Sequence, residues 1–215
     1  MSPHPDDDSR RAGRREFIDA YLSDLDERVQ FTDELFRMGR RQEALLLCCC
    51  YIDGLGRGLY YGSPGGSHRK FVRIVSELGG LEFLGLIHPR KLMIALNSSR
   101  DASHQEIRIL LDPLLRGTEL VTETDFLTRA QPLLMTAQLT KLGSVAWKGT
   151  MASLAYGDLR SPVVHALRGP DGISFDRTTY RGQPVPMIDF RVLRQALANI
   201  LPVVRQRFVD AGTWP

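Results

Sequence analysis

Arg160 and His165 are the two residues of this chain whose types and spacing could do chemistry together. An arginine fork binds phosphate oxygens, and an imidazole moves protons near neutral pH. The segment around them reads Tyr156-Gly157-Asp158-Leu159-Arg160-Ser161-Pro162-Val163-Val164-His165-Ala166-Leu167-Arg168. On an unbroken α-helix, five positions turn a side chain by about 140°, which would point the two groups apart. Pro162 brings no backbone N–H and disfavours the α conformation at Ser161. The spacing therefore predicts a helix start, with Ser161 as N-cap and Pro162 as the first helical residue. Arg160 would then swing back over the first turn, where His165 lies. The two would gather an anion at a helix N-terminus whose unpaired N–H groups point the same way. The same residues also allow a structural reading. His165 would be buried on a backbone carbonyl, and Arg160 would make an ordinary salt bridge to Asp158 or Asp53. Asp53 would be a paired core carboxylate on an otherwise apolar helix.

Other chemistries find little support. His4 lies in a polar leader, and His68 sits in the first turn of a helix beside Arg69 and Lys70, with solvent as its expected neighbour. His88 precedes a proline and His104 stands near a helix start. None has a second histidine or a paired carboxylate at ligand spacing, so neither a metal nor a cofactor is expected. The chain has no GxSxG elbow, Walker A loop or HExxH helix. Gly54-Leu55-Gly56-Arg57-Gly58 is not a dinucleotide fingerprint, because no strand precedes it. The three cysteines, Cys48, Cys49 and Cys50, are consecutive and inside an apolar run. They read as small core residues of a reducing compartment, which points to the cytoplasm.

The elements that must position Arg160 and His165 are helical. With 43% apolar and 25% charged residues the chain has the composition of a globular domain. Its net charge of +3 permits an anionic partner without demanding one. Met1–Arg15 is charged and reads as a disordered leader over 1–13 rather than a secretory signal. The run from Ala44 to Ile52 is too short to cross a bilayer, so no membrane partner is expected. One helical domain is expected over 14–212.

Phe17, Tyr21, Leu25, Val29 and Phe36 predict a first helix over 14–38. A second, apolar nearly all round, spans 41–61 and should lie in the middle of a bundle. Its Gly54, Gly58 and Gly62 form a stripe for close packing. A third runs from 68 to 78, with Ser67 as its N-cap. Helices over 89–97, 103–115 and 124–142 are interrupted at Pro113 and Pro132. Another covers 145–159. Gly169-Pro170-Asp171-Gly172 is a turn signal, and Ile173–Phe175 with Thr178–Tyr180 predict a small β-hairpin. Asp189 caps a last helix that buries Phe190, Leu193, Leu197, Ile200, Val204 and Phe208. The fold class is mainly all-α, a multi-helix bundle with a small hairpin before the C-terminal helix.

On these residues the chain resembles the HEPN superfamily, helical proteins that carry an R-x4-6-H motif. Arg160 and His165 match that motif, and Cys50-Tyr51-Ile52-Asp53-Gly54-Leu55-Gly56 is similar to the second helix of an uncharacterised bacterial branch. The likeness covers about 43–61 and 156–190. Active members usually carry Asn, Asp or His directly after the arginine, where this chain has Ser161. The resemblance implies a bundle of HEPN type and metal-independent RNA cleavage. His165 would take the proton of a ribose 2′-OH, and Arg160 would hold the phosphate while a 2′,3′-cyclic phosphate forms. Ser161, Arg168 and Asp53 would help bind substrate. It also implies a homodimer whose seam holds both His165 residues, and an antitoxin or defence-system partner. The competing function is a non-catalytic helical module that binds a nucleotide or a protein.

Overall fold

The computed structural model describes residues 5–161, 172–175 and 177–211, with side chains from 12 to 209 within those stretches. The architecture is mainly all-α, with two small two-stranded sheets before the last helix. Helix α1 (Pro5–Arg37) starts earlier than the periodicity predicts, so the expected leader is helical from Pro5 on. Its buried stripe is Ile18, Leu22, Leu25, Val29 and Leu35. Phe17 and Tyr21, expected in that stripe, face outward instead. One residue of rotation places the branched aliphatics, rather than the aromatics, against the neighbouring helices.

Helix α2 (Arg41–Leu59) packs against α1, against α3 (Ser67–Leu78) and against the last helix. It is central, as its composition predicts. One side is nonetheless open, because Cys50 and Gly54 are exposed. Cys50 is thus not the core residue expected, whereas Cys48 and Cys49 are buried. The close approach of α3 falls at Gly56 rather than at the predicted stripe. A Cβ there would stand 3.1 Å from the Lys70 carbonyl oxygen and 3.2 Å from Ile74 Cγ2, while one at Gly54 or Gly62 would meet nothing. The cap of α3 is the Gly66 backbone in extended conformation, with no side-chain bond from Ser67.

The middle third builds a second lobe. Helices α4 (Pro89–Asn97), α5 (Ala102–Leu110), α6 (Asp112–Leu115), α7 (Glu123–Ala130) and α8 (Thr136–Val145) are short. Pro113 and Pro132 fall at the breaks, as expected. Ile87, Leu92, Leu96, Ile107, Leu111, Leu115, Phe126 and Leu142 bury one another in a cluster separate from the bundle core. The neck is tied by backbone bonds between Ile87 and Val121 at 2.8 and 3.1 Å, from His88 N–H to Gly149 at 2.9 Å, and from Met151 N–H to Leu86 at 3.0 Å. A Cβ at Gly149 would sit 2.6 Å from Leu92 Cβ, so this close crossing needs a glycine.

Beyond the neck come a 3₁₀ turn (Ala146–Gly149), helix α9 (Met151–Leu154) and a π-helical turn (Ala155–Arg160). They replace the single helix expected over 145–159. The predicted hairpin does not form as drawn. Strand β1 (Gly172–Ile173) pairs with β4 (Ile188–Asp189), and between them β2 (Thr179–Tyr180) pairs with β3 (Gln183–Pro184). Arg181 and Gly182 both take positive φ, 50° and 74°, the backbone of a tight two-residue turn that the sequence reading passed over. Asp189 Oδ1 then accepts from the Arg191 and Val192 N–H groups and caps α10 (Phe190–Ala211), as predicted. The apolar face of α10 is buried as its spacing requires. Arg194 and Arg205 tie it to α1 through Asp33 and Asp26.

Candidate functional site

Arg160 is 9% exposed and closes the π-helical turn. Thr150 starts the approach to it, its Oγ1 accepting the Ser153 N–H at 3.2 Å. The helix then widens over Ala155–Arg160. Ser161 has φ −65° and ψ −49°, so it continues the helical path and does not act as an extended N-cap. The expected break before Pro162 is therefore corrected: Arg160 lies inside a helical run, not ahead of a new one. The residue that follows Ser161 has no N–H to close an ordinary α turn. Single π turns are found mostly at functional sites.

The Arg160 guanidinium is held on two sides. Its Nη2 donates to Asp53 Oδ2 at 3.0 Å, and its carbon lies 4.7 Å from the Tyr156 ring centroid. Arg57 reaches the same Asp53 oxygen at 3.3 Å. Asp53, expected to help bind substrate, is thus a buried carboxylate facing two guanidiniums. Asp158, the other partner considered for Arg160, pairs with Lys91 at 3.2 Å. Two atoms of this cluster are buried without a hydrogen-bond partner, Arg160 Nε and Asp53 Oδ1. Both cost free energy where they are, which calls for an explanation beyond packing. Among the candidate residues, the structure brings Asp53, Arg160 and Ser161 to one place. His165 and Arg168 lie outside the described residues.

Tyr156 carries a second ring. His68 stacks on it at 4.3 Å with the planes 9° apart, and Trp147 meets His68 edge-on at 5.0 Å. Two groups within 5 Å of one centroid take opposite faces, so Tyr156 is sandwiched between imidazole and guanidinium. His68 Nε2 shares a 3.0 Å hydrogen bond with Ser153 Oγ. A column therefore runs from Trp147 through His68, Tyr156 and Arg160 to Asp53. His68, expected in solvent, is half-buried, and that burial lowers its pKa from the usual 6.5, with Lys148 and Arg160 adding to the effect against the pull of the Ser153 bond. The sequence missed His68, Tyr156 and Trp147. Tyr156, one helical turn before Arg160, was the readable signal. His68 had none, because its partners lie far along the chain.

The remaining groups are structural. His88 and His104 are buried, on Thr178 at 3.2 Å and on Ser99 at 2.6 Å. Burial pushes the Cys48 thiol up to about 12 and Cys49 well above its ordinary value, so neither is a thiolate nucleophile. Among the described residues no group of three or more His, Cys, Asp or Glu is placed to hold a metal ion. Nor is any helix among them long and apolar enough to cross a membrane. Comparison with family models, with curated proteins and with solved structures finds no match to this chain.

Proposed function

We propose that the chain is a HEPN-like, metal-independent endoribonuclease acting as a homodimer in a toxin–antitoxin or defence setting, with Arg160 binding phosphate and His165 moving the proton. The supporting observation is the Arg160 cluster. A buried guanidinium in a widened turn, gripped by Asp53 and Tyr156 and left with a spare N–H, is pre-organised to receive an oxyanion. Arg57 shares the Asp53 charge, so the cluster keeps a net positive charge for a phosphate. His165 abstracts the 2′-OH proton, the 2′-oxygen attacks phosphorus, and the 5′-oxygen leaves with a proton from the second motif of the dimer. A cyclic phosphate remains on the upstream fragment.

The test is cleavage of single-stranded RNA by the full chain in chelator, beside His165→Ala and an all-deoxy strand. The proposal expects 2′,3′-cyclic phosphate ends from wild type alone, and no cut in DNA. Equal cutting by His165→Ala, or no RNA cut by wild type, removes the nuclease. A second reading, a non-catalytic module for a nucleotide or protein, is favoured by the direct pairing of Arg160 with Asp53. It expects wild type and His165→Ala to be alike and inactive.

A further inference from the structure

A cleft of about 470 Å³ lies beside α3, and Arg160 does not line it. Its walls come from the α3 face of Arg69, Lys70, Arg73 and Ser76, from Glu123 at the start of α7, and from Trp147 in the 3₁₀ turn. The volume falls in the range of small-ligand sites. Part of the wall is self-satisfied. Arg73 Nε donates to Glu77 at 2.8 Å, Tyr60 OH donates to the other Glu77 oxygen at 2.8 Å, and Arg73 lies 4.1 Å over the Tyr60 ring. Arg69 and Lys70 are not part of that network.

Arg69 is held in place by the loop before α3. Gly65, at φ +106°, lets the Arg69 stem fold back so closely that a Cβ there would stand 2.7 Å from Arg69 Cδ. Glu123 stands near Arg69 on the cleft rim. Although the residue is exposed overall, the walls desolvate its carboxyl enough to raise its pKa against the pull of Arg69. Ser76 Oγ, on the same wall, is buried with no hydrogen-bond partner. Two cations, one flat ring and one unpartnered hydroxyl thus surround an open volume, with one carboxyl beside the cations.

We propose that this cleft binds a nucleoside monophosphate, with the phosphate on Arg69 and Lys70 and the base against Trp147. Arginine forks and lysine point charges are the side chains that take phosphate, and indole stacks any base. Glu123 is a competing counter-charge at the mouth rather than a ligand. Phosphate displaces it from Arg69, so removing its charge favours binding. The site stands whether or not the chain cuts RNA, because its readout is an equilibrium.

The test is calorimetric titration of the full chain with AMP, GMP and UMP, beside adenosine and inorganic phosphate. The monophosphates are expected to saturate one site, and adenosine or phosphate alone to bind at least about tenfold more weakly. Arg69→Ala and Lys70→Ala are each expected to weaken binding about tenfold, the effect of losing a charge-assisted bond. Gly65→Ala, which displaces Arg69, moves the same way. Glu123→Gln is expected to tighten binding by about two- to fivefold. Monophosphates binding no better than inorganic phosphate would overturn the proposal, as would Arg69→Ala and Lys70→Ala titrating like wild type. A weaker Glu123→Gln would also overturn it, since it would mark the carboxyl as a ligand for a cationic group. All these variants lie at the cleft wall or loop, and circular dichroism checks that each is folded.

Discussion

Two regions of the molecule join an aspartate on one helix to an arginine far along the chain, and they differ in what surrounds the pair. On the α1–α10 seam, Arg194 grips Asp33 with two bonds of 3.1 and 2.9 Å, and Arg205 reaches Asp26 at 2.8 Å. These side chains keep 22% and 32%, and 38% and 41%, of their surface in water. At the α2 side, Arg160 and Asp53 keep only 11% and 7%, and each has a buried atom without a partner. The seam pairs are struts, whose remaining lone pairs and protons are solvated. The buried pair is costly to maintain and sits in a distorted turn, beside a ring column that holds it. The same two residue types thus serve orientation in one place and reserve a reactive group in the other.

The comparison breaks first at Asp53. Asp53→Ala leaves Arg160 buried beside Arg57 with no counter-charge and is expected to cost about 3–5 kcal/mol, read by urea unfolding. A cost no larger than that of Arg194→Ala would erase the distinction. Next is His68→Ala, which removes the stack on Tyr156 and strips Ser153 of its bond; about 2 kcal/mol is expected.

His68 also carries a pH signature. Its folded pKa lies below the ordinary 6.5, because burial disfavours the imidazolium. The unfolded chain therefore binds more protons in that window. The His68 contribution is complete above about pH 6.5 and is lost as pH falls through the folded value. Burial shifts His88 the same way, so His68→Gln should reduce the acid slope without abolishing it. Unfolding at pH 7.5 and 5.5 reads the difference, and an unchanged slope would place His68 in solvent. Smaller still is Arg194→Ala, at about 1 kcal/mol. Arg205→Ala is expected below about 0.5 kcal/mol, and both seam effects should shrink at high salt.

The bundle was legible in the sequence where one helix carries enough turns for its stripe to repeat. The second helix, the apolar face of α10 and the Asp189 cap all follow from spacing and side-chain chemistry. The second lobe was not legible as a lobe. Helices such as Ala102–Leu110 and Glu123–Ala130 are too short to show a period, and their core forms only when Ile87 and Val121 pair across the neck. At the site, Arg160 and Asp53 were both visible, and so was their pairing as one of two options. The π turn was not, because proline at 162 argued for a break while the helix widens instead. The ring column was hidden for another reason: His68 and Tyr156 are brought together only by the packing of α3 on α9.

The central claim is that Arg160 works on a phosphate and is not only a counter-ion of Asp53. Arg160→Lys separates the two roles, since lysine keeps the charge for Asp53 but lacks the planar fork. The measurement is the rate of single-stranded RNA cleavage in chelator by this variant, with its melting temperature alongside. A folded variant that cuts at least about 100-fold more slowly than wild type is the predicted result. A folded variant that cuts at the wild-type rate would contradict the account and leave Arg160 as a strut.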